Sequence, residues 1–279
     1  MAFGARFLAH NRTADFGVIS KAMDLATVIA ANDKWMGPAP EGSEVVETDE
    51  YRLVRLPDRF PDPLQVQWIR SARSADAVLN NIVQRASAYG LSELQVYEKL
   101  GSPEGLAEAL LKRGAECYDT ADVLALALPA ELEASELEAR WVAELEDVRD
   151  ANIIASTVFG GPRASDEDLA SRLAAYRKQS EAGAGGILVG YVDGVPAGIS
   201  GLDLVDSVAR IWGGAVLDEF RGHGIYRALT AKRLQYAAEH GATMALTQGR
   251  ISTSSPILKR VGFTSYGQQR SYRLPLEGR

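Results

Sequence analysis

Val216-Leu217-Asp218-Glu219-Phe220-Arg221-Gly222-His223-Gly224-Ile225-Tyr226-Arg227-Ala228-Leu229 is the stretch that decides the fold. A strand end runs into a turn holding two glycines, and a helix begins at once. The helix is marked by the spacing of Ile225, Leu229, Leu234 and Ala238. Without Cβ atoms, Gly222 and Gly224 permit left-handed backbone and close approach of a ligand. The helix start beyond them presents unpaired N–H groups and the positive end of its dipole, which suits a diphosphate. A plain strand-to-helix turn has the same local pattern, so the surroundings must decide.

Working outward, residues 137–158 mix helix and short strand, and 165–179 predict a helix capped by Ser165 with Glu167 and Asp168 in its first turn. Residues 187–192 pass through Asp193-Gly194 into 195–204, a hairpin signal, and 208–217 form the strand that feeds the glycine turn. Gly241 ends the following helix. Residues 243–248 read as a strand, 252–260 as a capped helix and 269–276 as a last strand. In the first half the spacing predicts a helix over 13–33 (Phe16, Ile19, Met23, Ala26) broken by Pro38 and Pro40. Strands follow at 45–56 and 64–70 with a turn over 58–63. A Ser74-capped helix spans 74–89, a strand 94–97, a helix 102–113 capped by Ser102, and a strand 121–128.

The halves share this order of elements. Leu111-Lys112-Arg113-Gly114 and Leu258-Lys259-Arg260-Val261-Gly262, each followed by a polar gap and a strand, lie 147 residues apart, which points to a duplication.

Composition excludes several classes. With 279 residues, 46% hydrophobic and 24% charged, the chain has enough apolar surface for a real core and is not disordered. Its single cysteine, Cys117, rules out an intramolecular disulfide or a cysteine metal cage, and no histidine pair has ligand spacing, so no metal is expected. Net charge is -7; residues 1–129 carry 13 basic against 18 acidic side chains and 130–279 carry 17 against 19. Neither half has the basic excess for a nucleic-acid partner. The acidic run Glu131–Asp150 reads as a solvated helix face. The longest apolar runs are about ten residues, too short to span a bilayer. No membrane association is expected, and a cytoplasmic location is.

Arg221-Gly222-His223-Gly224-Ile225-Tyr226 resembles the Q/R-x-x-G-x-G/A loop of the GNAT acetyltransferase superfamily. Val216 stands five residues before Arg221, as the strand valine does there, and Ile257-Leu258-Lys259-Arg260-Val261-Gly262-Phe263 looks like the family's closing helix with its Gly-Phe end. The resemblance covers roughly 137–276. It implies an α/β (α+β) protein of two GNAT-like domains, 1–130 and 131–279, each a mixed, mostly antiparallel sheet flanked by helices. The implied activity is transfer of an acetyl group from acetyl-CoA to an amine of a small molecule or peptide. By that resemblance the amides of Arg221, Gly222, His223, Gly224, Ile225, Tyr226 and Arg227 hold the pyrophosphate, and Gly214, Ala215 and Val216 hold the pantetheine arm and the thioester carbonyl. A homodimer is compatible with it.

The departures are specific. Tyr226 replaces the last small residue of the loop, so its ring must point away from the phosphates. Leu258 stands where the family's general-acid tyrosine would be, Ile251, Ser252 and Thr253 where its asparagine would be, and Arg210 where some members place a glutamate base. Asp203, Tyr266 and Ser254 are the substitutes considered, with water as the other proton acceptor. These losses also fit a non-catalytic acyl-CoA-binding or sensing module. The first half has Arg70-Ser71-Ala72-Arg73-Ser74-Ala75-Asp76 before its helix, with no glycine, and is expected to be structural or substrate-shaping. His223 is expected to face solvent, His240 to cap its helix, and Cys117 to be a small buried hydrophobe; Trp212 fits a pocket wall as well as a core. His10 stands alone, and the Asn11-Arg12-Thr13 sequon carries no meaning in a cytosolic chain.

Overall fold

The computed structural model describes residues 23–37, 39–60, 62–132 and 136–276. Helices α1 to α7 span Leu25–Asp33, Ala75–Ala86, Leu106–Lys112, Leu145–Phe159, Asp166–Glu181, Ile225–Glu239 and Ser254–Val261. Strands β1 to β11 span Glu44–Glu47, Tyr51–Arg55, Leu64–Ile69, Glu93–Glu98, Glu116–Ala127, Glu138–Trp141, Gly185–Val192, Val195–Val205, Val208–Val216, Met244–Arg250 and Thr264–Pro275. His10, the sequon, Phe16, Ile19, Pro38 and Pro61 lie outside the described residues.

The α/β class and the mostly antiparallel pairing are as expected. The two half-sheets, however, are joined into one sheet of order β1-β2-β3-β4-β11-β5-β10-β9-β8-β7-β6. The join is an exchange of strands. β11 enters the first half, pairing with β4 from Arg270–Glu98 to Pro275–Glu93. β5 enters the second, pairing with β10 from Met244–Ala127 to Arg250–Ala121. Between them β5 and β11, the last strands of their halves, pair with each other antiparallel from Thr264–Ala125 to Arg273–Glu116. The preceding helices end alike: Ala115 N donates to Leu110 O and Phe263 N to Leu258 O, each at 3.1 Å, with Gly114 and Gly262 left-handed.

β5 is covered on both faces. Leu124 and Leu126 pack with Leu234, Ala245 and Leu258 beneath α6 and α7. Val123 and Ala125 pack with Val28 of α1 and with Met244 and Leu246. Burial on both faces explains the near-continuous apolar run Ala121–Leu128. On the first half Leu64, Val66, Leu94 and Val96 meet Val78, Leu79, Ile82 and Leu110 of α2 and α3.

Local chemistry corrects several expected boundaries. Residues 45–56 are two strands, not one, because the Thr48 hydroxyl accepts from the amides of Glu50 and Tyr51 and closes a turn. Ser102 does not cap α3. Its hydroxyl accepts from Lys99 N, and the helix starts after Gly105. α1 begins at Leu25, with the Asp24 carboxylate accepting from Thr27 N. The last strand starts at Thr264 rather than 269. Cys117 is exposed rather than buried, since it lies on the part of β5 that runs beyond β10.

A polar network ties α1 to the sheet centre. Gln248 Nε2 donates to Asn32 Oδ1 and Gln269 Oε1, and Lys99 Nζ donates to Asn32 O at 2.9 Å. Burial pushes the Lys99 ammonium down to about 8, against the opposing pull of Asp33; Arg70, Arg210 and Arg52 act with burial.

Leu124→Ala removes a side chain wedged against Gly249 and Leu258 at the strand exchange. It is expected to lower stability by about 2–5 kcal/mol in urea unfolding, with both halves still melting in one transition. Between pH 8 and the ordinary lysine range the unfolded chain binds the Lys99 proton and the folded chain does not. Stability should therefore rise with pH there, by up to about 1.4 kcal/mol per unit. The same unfolding curves in Lys99→Met should lose that slope.

Candidate functional site

β9 and β10 run parallel for only three pairs, Val208–Met244, Ala209–Ala245 and Arg210–Leu246. Beyond Arg210 they part. On its other side β9 is kinked by a register shift against β8 between Ile199 and Gly201, where Gly213 takes a left-handed conformation. Arg233 of α6 holds that kink from below. Fully buried, it donates Nη1 to Gly201 O at 2.9 Å and to Trp212 O at 3.3 Å, and Nη2 to Thr230 Oγ1. Burial pushes its guanidinium pKa down to about 10, so it stays a cation at neutral pH.

The chain then makes a short 3-10 turn at Asp218–Phe220. Arg221 pins it, with Nε donating to Val216 O at 3.2 Å and Nη2 paired with Asp218 at 2.7 Å. Gly222 and Gly224 have φ of +81° and +78°, and a Cβ added to either would meet nothing within 4 Å. Gly224 is the cap residue of α6 and has no side chain to cap with; the first turn carries no acidic residue. Among the described residues no backbone acceptor takes the amides of Gly222, His223, Gly224, Ile225 or Tyr226. The result is an open ring of amides beside a parted strand pair.

The equivalent place in the first half is closed. The Ser74 side chain caps α2 by accepting from Ala77 N, and Ser71 Oγ accepts from Arg73 N. The Glu50 carboxylate lies on Ser71 and Arg73, and Asp76 occupies the first helical turn. Own side chains and negative charge stand where a phosphate would sit.

Tyr226 turns its ring toward β9. Its ring lies over Gly214, where an added Cβ would come within 2.6 Å of it, and its hydroxyl meets Ser254 at the start of α7. Burial raises the phenol pKa, outweighing Arg233 and Ser254. The ring therefore bridges the gap between β9 and α7. Ala215 and Val216 are buried on opposite faces of β9, toward α4 and α6. His223 is exposed and its ring lies 3.4 Å from Phe220 O; Arg227 is exposed as well.

Of the substitute proton-transfer residues, only Ser254 lies beside the ring, its hydroxyl accepting from Arg250 N. Asp203 sits at the other end of β8, opposite Arg210, and accepts from Gln179. Tyr266 lies in the bulge at the start of β11, its hydroxyl accepting from Met23 N. The structure does not bring these three together. Leu258 is buried against Gly249 and Leu124, and Arg210, a permanent cation, contacts Trp35 O. His240 closes α6, its ring stacked on Tyr236. Trp212 is a third exposed and lies across Gly201. Sequence reasoning missed Arg233, although a charged residue four positions after Leu229, inside an apolar stripe, was a signal for it. Among the described residues no group of three or more His, Cys, Asp or Glu could hold a metal, and no helix is long and apolar enough to cross a membrane.

A parallel pair that parts at a kinked strand, with a glycine-capped helix start beyond it, is the frame of an N-acetyltransferase fold. Residues 145–253 match the model of the acetyltransferase (GNAT) family. A search of curated proteins matched none to the chain. Among solved structures, a GCN5-related N-acetyltransferase from Kribbella flavida is similar with a TM-score of 0.64 at 20% identity, covering 90% of this chain and 95% of its own. One from Sphaerobacter thermophilus gives 0.62 at 17%, covering 92% and 95%. A tandem GNAT protein from the clavulanic acid biosynthesis pathway gives 0.58 at 18%, covering 86% and 85%. At these identities the likeness establishes the fold.

Tyr226→Ala removes a largely buried ring from the seam between β9 and α7. It should cost about 2–4 kcal/mol in urea unfolding while leaving the circular-dichroism spectrum unchanged.

Proposed function

We propose that the second half binds acetyl-CoA and transfers its acetyl group to an amine of a small molecule or peptide. The observation that carries this reading is the contrast between the two helix starts: α6 offers uncapped amides over open space, whereas α2 is capped and acidic. The coenzyme would supply the activated thioester. The amides of Arg221 to Arg227 would hold its pyrophosphate with N–H groups and helix dipole. Gly214, Ala215 and Val216 would line the arm, and a fixed backbone N–H there would stabilise the negative charge that an attacking amine puts on the carbonyl oxygen. The residues fit at the phosphate end. At the strand end the Tyr226 ring rests on Gly214, so an arm lying along β9 requires it to turn outward. With Leu258 in the core and Asp203 and Tyr266 remote, the amine's proton goes to water, and the rest of the work is positioning.

A second reading, a non-catalytic acyl-CoA-binding or sensing module, is favoured by the burial of Leu258 and the cation at Arg210. Free-thiol release from acetyl-CoA across an amine panel separates the two. Turnover establishes the transferase, and binding without turnover on any amine establishes the module. Gly224→Trp fills the space before α6 and is expected to weaken coenzyme A binding at least about tenfold by calorimetry, the loss of a charge-assisted hydrogen bond or more. Unchanged affinity would remove the site.

A further inference from the structure

A cavity of about 530 Å³ lies between α1 and the end of the sheet where the β8–β9 turn meets the start of β10. We propose that it binds a small monocarboxylate with an apolar body. Arg210, Lys34, Ala30, Ala127, Val208 and Met244 are among its walls. The cavity adjoins the beginning of β9 at Val208, whereas the glycine loop follows the end of that strand at Val216. The site is therefore separate from the one assigned to coenzyme A and does not rest on it.

Arg210 supplies the charge. It is only 7% exposed, and a cation so placed normally has a carboxylate beside it. Among the described residues none forms an ion pair with it. Asp203, its register partner on β8, is taken by Gln179 Nε2 at 2.7 Å, and Asp206 lies 3.7 Å from Lys34. Burial holds the guanidinium pKa below its ordinary value, and Asp203 and Asp206 oppose that only from a distance. Nη1 makes one long bond, 3.4 Å, to Trp35 O, and Nε is sealed from solvent. Nη2 has no partner among the described residues and keeps open surface, so it is the atom a ligand can reach. A carboxylate there forms a charge-assisted bond with a cation that water hydrates only in part.

The other walls select the rest of the molecule. Ala30, Ala127, Val208 and Met244 offer apolar contact. Lys34 and Asp206 are largely exposed, at 69% and 76%, and pair with each other. Asp24 also lines the cavity, its carboxylate accepting from Thr27 N and Oγ1. With Asp24 and Asp206 already present, a second acid group on the ligand would be repelled. The volume lies within the range of small-molecule sites.

Titration of the full chain with hexanoate and with phenylacetate, without coenzyme A and followed by ligand-observed NMR, tests the site. Saturable binding of at least one acid is expected, with its neutral amide and the diacid adipate at least about tenfold weaker. Arg210→Met should abolish the binding while the melting temperature holds or rises, because an apolar chain replaces a buried cation that has no ion pair. Ala30→Trp, on the exposed side of α1, fills the cavity and should abolish the binding too; it decides the matter if the first variant fails to fold. No saturable binding of either acid at millimolar concentration, an amide or diacid that binds as tightly, or binding indifferent to both substitutions would overturn the proposal.

Discussion

The antiparallel contact between β5 and β11 is the constraint on which the molecule depends. Each strand closes the half that did not encode it, so neither half owns a complete sheet. With about 3.3 Å per residue, the long shared ladder from Thr264 to Arg273 fixes the register of the whole sheet centre. The apolar side chains of β5 make the exchange favourable because both of its faces are covered, by α6 and α7 on one side and α1 on the other. Burying such a strand twice over gives more apolar contact than an edge strand could make.

The two halves carry different surfaces at their helix starts. Both halves have a parallel pair that begins in register and parts, and both have a helix starting beyond it. What differs is the residue at the helix cap. Serine turns its own oxygen inward and satisfies the amides, while glycine leaves them facing outward. Added to Glu50 and Asp76 on one side and no acidic first-turn residue on the other, this small substitution separates a sealed helix end from an anion-ready one.

Much of this was legible in the sequence because it is local. The glycine pair, the start of α6 at Ile225, the Ser165 capping box and the Asp193-Gly194 hairpin are set by residues a few positions apart. The matching Leu-Lys-Arg segments lie at the ends of two helices that finish on left-handed glycines, Gly114 and Gly262, a likeness the sequence showed only as a repeated string. What sequence order hides is distance. Nothing in residues 264–275 says that they lie beside Glu98, and nothing in Asp203 or Tyr266 says that they face away from the loop. Cys117 looked like a core residue by composition, but the strand that carries it overshoots its neighbour. The fit of Tyr226 against Gly214 was half visible: the substitution announced a ring needing space, but not which glycine supplied it.

The exchange also sets an order of events during synthesis. Chains emerge from the ribosome N-terminus first, and domains commonly fold as they appear. Here β4 and β5 are made before the second half but must wait, unpaired with each other, for β11, which follows the rest of that half in the chain. Until β11 arrives, two apolar strand edges stay unmatched, a hazard for sticking to other chains. A protein built this way trades a safe early start for a body that completes itself only once the second half has been made.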